Sequence, residues 1–447
     1  MQYISPVDFL IAPIYIFVLF FFIKSKAIKY KGSWLSRFYI STFFLHIMGA
    51  VLYAMVIQYY YGYGDSLGFF RASTFLSNLT KDEFTLKYFF YSPSDLSNLF
   101  LNSETGDNAI GAVLNNSSNL IIIKISAALS LLSFNKYLVV SLFFGLFSFA
   151  GIWRLFIVFN EVLQNKGQKI LALTVLYTPS IWFWGSGLIK DSICMGCLGL
   201  VVSYIYKIFI KKKFSFTDLL LLGIFFYILF IVKSYIALVL LLAIVVFSVH
   251  YFIVNRRTAI EKWIFSILIS LTGMLLFAFM LRSYITSLVE DSKATVDTFK
   301  SVYESMDSAG ESGSGFAGKS IDFTVSGIII SSPINIFTAL YRPFLWEVRN
   351  VMMIFSSLES FVALIALFYL LAKTKWKFFS YIFSNPFILF AFVFVMVLSL
   401  IIGLTTFNFG TMVRYRIPIF PFYCFLLLSV YVKYKEKQLA KKAAVEI

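Results

Sequence analysis

The stretch YYYGYGDSLGFFR, residues 59–71, is the part of the sequence from which we predict the fold. It begins where a long apolar segment, residues 38–59, ends. Its tyrosines form an aromatic girdle of the kind found at a membrane–water interface, and its glycines let the backbone turn and approach a ligand closely. The stretch therefore predicts a carboxylate, Asp65, held at a membrane surface. The alternative is a solvated aspartate that caps the next helix.

The composition indicates a membrane protein. Of 447 residues, 60% are hydrophobic and 13% are charged, whereas soluble proteins carry about 25% charged residues. The net charge of +16 comes from cations clustered in short loops between apolar runs, which is the positive-inside pattern. We therefore expect membrane lipids around the chain and exclude nucleic acid as a partner.

The cysteines and histidines give no sign of a metal or redox site. Cys194 and Cys197 have a CxxC spacing, but they lie within a hydrophobic run with Met195 and Gly196. We interpret this run as small residues for helix packing. The two histidines are far apart in sequence, and no cluster has the spacing of a zinc site.

The apolar runs predict an all-α, polytopic transmembrane bundle, a single transmembrane domain of residues 1–447. With a span requiring about 20 apolar residues, we count about eleven spans. The basic loops place the N-terminus outside and the C-terminus in the cytoplasm. The predicted spans are 9–23, 38–59, 137–159, 170–184, 193–209, 219–232, 235–254, 263–281, 351–371, 387–406 and 419–432.

Two long polar segments are predicted on the outer side, residues 60–136 and 282–344. The first contains SPSD, residues 92–95, a helix-start signal, and a short apolar run, residues 120–134, interpreted as an in-plane or re-entrant helix. If that run spans the membrane, every later orientation reverses. The second contains another in-plane apolar stretch, residues 328–340, expected to break at Pro333.

A nucleotide-binding pattern in the second outer segment is interpreted as a flexible loop. Residues 313–320, GSGFAGKS, match GxxxxGK[ST] letter for letter. A P-loop also needs a preceding buried strand and a following helix that holds phosphate. Here an acidic, Ser-rich segment precedes the pattern, so we do not expect ATP binding. The Gly/Ser-rich loop that contains the pattern, residues 308–320, suits a lid that orders when substrate binds.

Charged residues near the predicted outer surface are the candidate site. Arg71 follows Asp65 at the start of the first outer segment, and Lys190 and Asp191 follow a Trp/Gly-rich turn. The last two form either a mutual ion pair at a helix start or a second polar element facing Asp65.

Four arginines, accompanied by Glu347, also fall on the outer side, where the positive-inside rule disfavours them. They either pair with lipid phosphates or Glu347, or bind a phosphate of a ligand through bidentate hydrogen bonds. We favour the ligand. The arginines are Arg342, Arg349, Arg414 and Arg416.

The assembled pattern resembles the GT-C superfamily of polytopic membrane glycosyltransferases, including bacterial O-antigen polymerase-like members. The resemblance rests on the multi-span plan, on Gly64-Asp65-Ser66 near the start of the first outer loop, on residues 179–192, and on the turn at residues 414–418. In that family an acidic residue of the first outer loop acts at the catalytic centre, which implies this role for Asp65. Many members have a second acid where this chain has Ser66. No metal ligands are assigned, and use of a divalent metal stays open.

The resemblance implies an enzyme of the bacterial cytoplasmic membrane that moves a sugar from a polyprenyl-phosphate carrier to a glycan, lipid or protein acceptor. Asp65 would activate the acceptor hydroxyl, and the cations would stabilise the departing phosphate. Two alternatives remain: a flippase for lipid-linked sugars, which needs no base, and a non-catalytic membrane subunit of an assembly complex.

Overall fold

The computed structural model describes residues 3–255, 325–348, 351–406 and 408–443, and the described elements are helices. The helices of the first half are α1 Pro6–Ala27, α2 Leu35–Met55, α3 Asp65–Asp82, α4 Pro93–Leu101, α5 Asn108–Asn115, α6 Ser117–Leu132, α7 Tyr137–Val162, α8 Gln168–Leu176, α9 Pro179–Trp184, α10 Lys190–Ile205, α11 Phe216–Val232 and α12 Ser234–Asn255. Those of the second half are α13 Val325–Tyr341, α14 Val351–Thr374, α15 Lys377–Phe383, α16 Pro386–Thr405, α17 Phe409–Arg416 and α18 Phe420–Ala443.

Seven of the described helices are long and apolar enough to cross a membrane, or up to nine if each bent helix pair is one span. The all-α prediction is confirmed for the described residues. The predicted span at 263–281, the P-loop-like pattern and the proposed lid lie outside those residues. The count of about eleven spans therefore stays a prediction.

The predicted span 170–184 is not one helix. It consists of α8 and α9, which are separated at Tyr177 and Thr178. Thr178 has extended backbone angles, φ −60° and ψ 120°, and Pro179 is the first residue of α9. Proline disfavours the helical conformation in the residue before it, so the apolar run is interrupted where the sequence places Pro179.

The predicted break at Pro333 is wrong. Helix α13 runs through Pro333 without ending. Proline removes one backbone hydrogen bond, but helices in apolar surroundings tolerate it when side chains and neighbours satisfy the freed groups. Ser331 and Ser332 both donate to the carbonyl of Ile328, which is next to the carbonyl of Ile329 that lacks a helical N–H partner because of Pro333.

The first of the two segments predicted on the outer side, residues 60–136, is helical along most of its length. The helix start predicted at residues 92–95 is confirmed, because Ser92 caps α4 and exchanges hydrogen bonds with Asp95. The apolar run 120–134 forms most of α6, and α5 meets α6 at an angle of 98°. Such a bend fits either a broken span or a re-entrant helix, so both alternatives stay open.

The chain divides into two compact units, each described separately. Unit 1 comprises Met1–Val158 and Leu176–Lys233, and unit 2 comprises Phe159–Val175 and Ser234–Ile447. In unit 1, α7 and α10 approach closely because glycines face each other. A Cβ on Gly151 would lie 2.3 Å from the carbonyl oxygen of Gly196, and one on Gly199 would lie 2.0 Å from that of Gly151. Gly196 of the CxxC run thus serves helix packing, as predicted.

Candidate functional site

Asp65 is the first residue of α3, and two glycines with left-handed backbone angles place it there. Gly62 has φ 71° and Gly64 has φ 130°, values that residues with a Cβ rarely adopt. The next side chain, Ser66, is buried and shares a 2.6 Å hydrogen bond with the hydroxyl of Tyr137. That contact anchors the start of α3, while the Asp65 side chain stays exposed.

Lys190 is the first residue of α10 and reaches the start of a second helix. Its Nζ donates to Ser118 Oγ at 2.7 Å, and Ser118 lies in the first turn of α6. The ammonium group is also within electrostatic range of the Asp65 carboxylate. Lys190 therefore links the N-terminal ends of three helices, α3, α6 and α10.

This arrangement favours an anion beside Lys190. Helix N-termini carry partial positive charge and unsatisfied N–H groups. The residue before α10, Ile189, has no side chain that could cap those groups. Helix N-termini with free N–H groups and a nearby cation bind phosphate in many proteins.

The carboxylate of Asp191 has a buried partner, Lys233. Its Oδ1 pairs with Nζ of Lys233, which directly follows α11. The two residues are buried, with 1% and 8% of their surfaces exposed. The salt bridge of Asp191 is therefore with Lys233, and the two alternatives predicted for Lys190 and Asp191 stay predictions. Asp191 thus pairs with Lys233, while the hydrogen bond of Lys190 goes to Ser118.

The turn before α10 is fixed by close packing in unit 1. Gly187 lies under the ring of Tyr53, and a Cβ at this position would be 1.9 Å from Tyr53 Cδ1. The Gly187 carbonyl accepts a 2.6 Å hydrogen bond from Ser192. Ser186 shares a 2.8 Å hydrogen bond with Nδ1 of the buried His46 on α2. These contacts fix the backbone of the turn that precedes Lys190.

An apolar cavity of about 260 Å³ lies between the helices that carry Lys190 and Ser118. Ile193, three residues after Lys190, contributes to its wall. Ile125 and Leu129 of α6 contribute to the opposite side, and side chains from α7 and α11 complete it. An apolar cavity thus begins about one helical turn from the charged group on α10.

Arg71, the cation predicted to bind substrate beside Asp65, has partners within unit 1. Its guanidinium forms an ion pair with Asp107, and NH2 donates to the carbonyl of Thr105 at 2.9 Å. Arg71 therefore ties α3 to the turn before α5. Both ion-pair side chains remain partly exposed, and the binding role predicted for Arg71 stays a prediction.

In unit 2, Arg342 binds Glu347, which was the simpler of the two predicted alternatives for these residues. Nε of Arg342 lies 3.0 Å and 3.1 Å from the two carboxylate oxygens of Glu347. Glu347 also accepts a 2.9 Å hydrogen bond from the backbone N–H of Phe344. The guanidinium lies 5.0 Å from the ring centre of Phe409. These contacts close the turn after α13.

Arg416 is buried in unit 2, with 2% of its surface exposed. NH1 donates to the carbonyls of Leu340 and Arg342, each at 3.0 Å. NH2 donates to the carbonyl of Ser356 at 3.3 Å and also to its hydroxyl. The guanidinium thus connects the end of α13 to α14. A substrate phosphate would have to replace these protein acceptors.

The structure describes fewer contacts around the other two predicted arginines, Arg414 and Arg349. Arg414 is half-buried on α17, and its neighbour Tyr415 packs against Tyr235 with ring centres 6.1 Å apart. Arg349 lies outside the described residues. The phosphate-binding roles predicted for both stay predictions.

Three residues of these charged networks were not predicted from the sequence. Ser118 gave no signal, because one serine among several polar residues is unremarkable. Lys233 did give one, since a lysine between two apolar runs usually has a partner or faces a cavity. Glu359 gave the same signal within α14, and it lies within electrostatic range of Arg416.

No group of three or more His, Cys, Asp or Glu side chains that could hold a metal ion occurs among the described residues. Comparison of the chain with protein-family models, with curated proteins and with solved structures gave no match.

Proposed function

We propose that the chain is a membrane glycosyltransferase that uses a lipid-phosphate-linked sugar as donor and works at the outer face of the bacterial cytoplasmic membrane. The observation that carries the proposal is the position of Lys190. It contacts Ser118, lies within electrostatic range of the exposed Asp65, and stands next to an apolar cavity built by its own helix and by that of Ser118.

The site suits a ligand with an anionic head and a hydrocarbon tail. Lys190 and the uncapped start of α10 attract a phosphate. The cavity that includes Ile193 and Ile125 offers apolar surface to the chain attached to that phosphate. A soluble sugar nucleotide would make no use of this apolar surface.

Within this proposal, Asp65 and Lys190 have different tasks. Asp65 accepts the proton of an acceptor hydroxyl. The acceptor oxygen forms a bond to the anomeric carbon of the donor sugar while the bond from that carbon to the phosphate oxygen breaks. Lys190 stabilises the negative charge that develops on the leaving phosphate. The proton ends on Asp65 and the electron pair on the lipid phosphate.

The phosphate is assigned to Lys190 in preference to Arg416. The guanidinium of Arg416 is buried and donates to the carbonyls of Leu340, Arg342 and Ser356. Lys190 donates to the hydroxyl of Ser118, which a stronger acceptor can replace. Charge-assisted hydrogen bonds to phosphate are stronger than those to a neutral hydroxyl.

A transfer assay tests the proposal. The purified chain in lipid nanodiscs is incubated with radiolabelled polyprenyl-phosphate sugars and with short oligosaccharides as acceptors, and products are separated by chromatography. We expect labelled product from wild type and at least about 100-fold less from Asp65→Asn. A flippase would need Lys190 and the cavity but not Asp65. Transport of fluorescent lipid-linked sugar across vesicles that survives Asp65→Asn, without any transfer, would therefore replace our proposal.

A further inference from the structure

A polar groove of about 550 Å³ lies in the first outer segment, apart from the Lys190 site. It is lined by Tyr91, Asp95, Asn98, Leu99 and Asn102. Four of these residues belong to α4 or directly follow it, and Tyr91 precedes that helix. The volume falls within the usual range for small-ligand sites, about 300–1,000 Å³.

The groove presents hydrogen-bonding groups that the protein does not use. Asn98 and Asn102 are exposed and one helical turn apart, so their amides share a face of α4. Neither amide makes a hydrogen bond within the described part of the chain. Asp95 caps its helix through Oδ2, which bonds Ser92. Its Oδ1 is available to a ligand.

The tyrosine at the end of the groove is held in place. The carbonyl of Tyr91 accepts a 2.9 Å hydrogen bond from Lys124 of α6, and its ring packs edge-on against Tyr88 at 5.2 Å. Tyr88 in turn donates to Glu83. Hydrogen bonds from Lys87 and Tyr88 lower the pKa of Glu83, so this carboxylate stays ionised as their acceptor at neutral pH.

We infer that this groove binds a neutral carbohydrate, the acceptor glycan of the proposed reaction. Each amide offers both a donor and an acceptor, which matches neighbouring sugar hydroxyls, and a fixed aromatic ring offers an apolar face to the sugar ring. The lining carries one charge, the carboxylate of Asp95, which disfavours phosphate and other anions. The identification as acceptor rests on the proposed function, whereas carbohydrate binding does not.

Binding of short neutral oligosaccharides to the purified chain in nanodiscs tests the inference. The probes are dextran, mannan and chitin oligosaccharides, followed by saturation-transfer NMR. We expect at least one of them to bind. Removing both amides, in Asn98→Ala with Asn102→Ala, should weaken that binding about 10-fold, since each neutral hydrogen bond contributes about 0.5–1.5 kcal/mol. Asn108→Ala, an exposed asparagine of α5 outside the groove, is the matched control.

Tyrosine variants separate stacking from folding. Tyr91→Phe keeps the ring and should keep binding, whereas Tyr91→Ala should abolish it. Failure of wild type to bind any probe, or unchanged binding in the double asparagine variant, would overturn the inference. If a probe binds in the groove but no sugar is transferred, the proposed function fails and the groove stands. If the groove variants transfer sugar at the wild-type rate, the identification of the groove as the acceptor site fails and the proposed function stands.

Discussion

Asp191 and Lys233 form an ion pair that is almost completely buried, with 1% and 8% of their surfaces exposed. Desolvating two charges costs several kcal/mol per ion, and the attraction between them offsets that cost only when the pair is intact. Asp191 adjoins Lys190, so the pair also determines the charge next to the candidate site. Both charges of the pair lie within electrostatic range of Lys190, so loss of either one changes the field at the candidate site.

Breaking the Asp191–Lys233 pair should destabilise the protein more than removing it. Lys233→Met leaves an uncompensated buried carboxylate, and Asp191→Asn leaves an uncompensated buried ammonium. Each should lower the free energy of unfolding by about 3–5 kcal/mol. The double variant removes both charges and should recover much of that loss. Thermal unfolding in detergent, followed by tryptophan fluorescence, measures the effect.

A control for this double-mutant cycle comes from an exposed ion pair. Lys166 and Glu436 are paired in unit 2, with about half of each side chain exposed. Lys166→Met and Glu436→Gln should change stability by less than about 1 kcal/mol each. Equal losses at the two pairs would show that burial of Asp191 and Lys233 has no energetic consequence.

Gly187 should be intolerant of a side chain. Gly187→Ala places a methyl group against the buried ring of Tyr53, at 1.9 Å before relaxation. Either the ring or the turn carrying Lys190 must move, at a cost of about 1–3 kcal/mol. The melting temperature and the affinity for a lipid phosphate should both fall.

Gly223→Ala is the matched control for that substitution. Nothing lies within 4 Å of a Cβ at Gly223, which is exposed on α11. Alanine is favoured over glycine in a helix by about 1 kcal/mol, so stability should be unchanged or slightly higher. A loss at Gly223 as large as that at Gly187 would contradict the packing argument.

The fold could be predicted where apolar runs are long and uninterrupted. The segments that became α2, α7, α12 and α16 were placed within a few residues, because length and hydropathy suffice there. Prolines caused the errors. Pro179 interrupts an apolar run, with Thr178 before it in an extended conformation, whereas Pro333 is accommodated within α13. Local sequence does not determine which of these outcomes occurs, because neighbouring helices decide it.

The candidate site was predictable only in part. Asp65 and Lys190 lie at the ends of apolar runs, and ionisable groups in such positions indicate a functional site. Their partners depend on tertiary structure, since Ser118 is 72 residues from Lys190 and Lys233 is 42 residues from Asp191. The bonds of Arg416 to backbone carbonyls leave no trace in the sequence pattern.

The orientation of the first half of the chain can be tested by cysteine labelling. Glu104→Cys and Lys212→Cys are introduced singly after the three native cysteines, all buried, are replaced by alanine. Glu104 lies in the first outer segment and Lys212 in a basic loop. The positive-inside rule predicts that an impermeant thiol reagent labels Cys at 104 in intact cells and spares 212. Reversed labelling would place Asp65 on the cytoplasmic side.

Arg416 should matter for stability and not for donor binding. Arg416→Ala leaves the carbonyls of Leu340, Arg342 and Ser356 without their buried donor, and an unsatisfied buried group costs about 1–3 kcal/mol. We expect a lower melting temperature and unchanged affinity for polyprenyl phosphate below that temperature. Arg416→Lys should restore little, because an ammonium cannot reproduce the planar fork. Weaker lipid-phosphate binding without loss of stability would restore Arg416 as a substrate-binding residue.

The division of labour between Asp65 and Lys190 distinguishes catalysis from binding. Asp65→Asn removes a base and keeps the size of the side chain, so transfer should fall about 10²- to 10⁴-fold while affinity for polyprenyl phosphate stays unchanged. Lys190→Met removes a charged hydrogen bond worth about 1.5–3 kcal/mol. It should weaken lipid-phosphate binding about 10- to 100-fold and slow transfer as well, because the phosphate is held in both the ground state and the transition state. Binding is measured with a fluorescent polyprenyl phosphate in nanodiscs and transfer with the radiolabelled donor. If Asp65→Asn transfers sugar at the wild-type rate, Asp65 serves only the start of α3. If Lys190→Met binds the lipid phosphate normally, the phosphate site lies elsewhere, and Arg342, Arg349 and Arg414 are the next candidates.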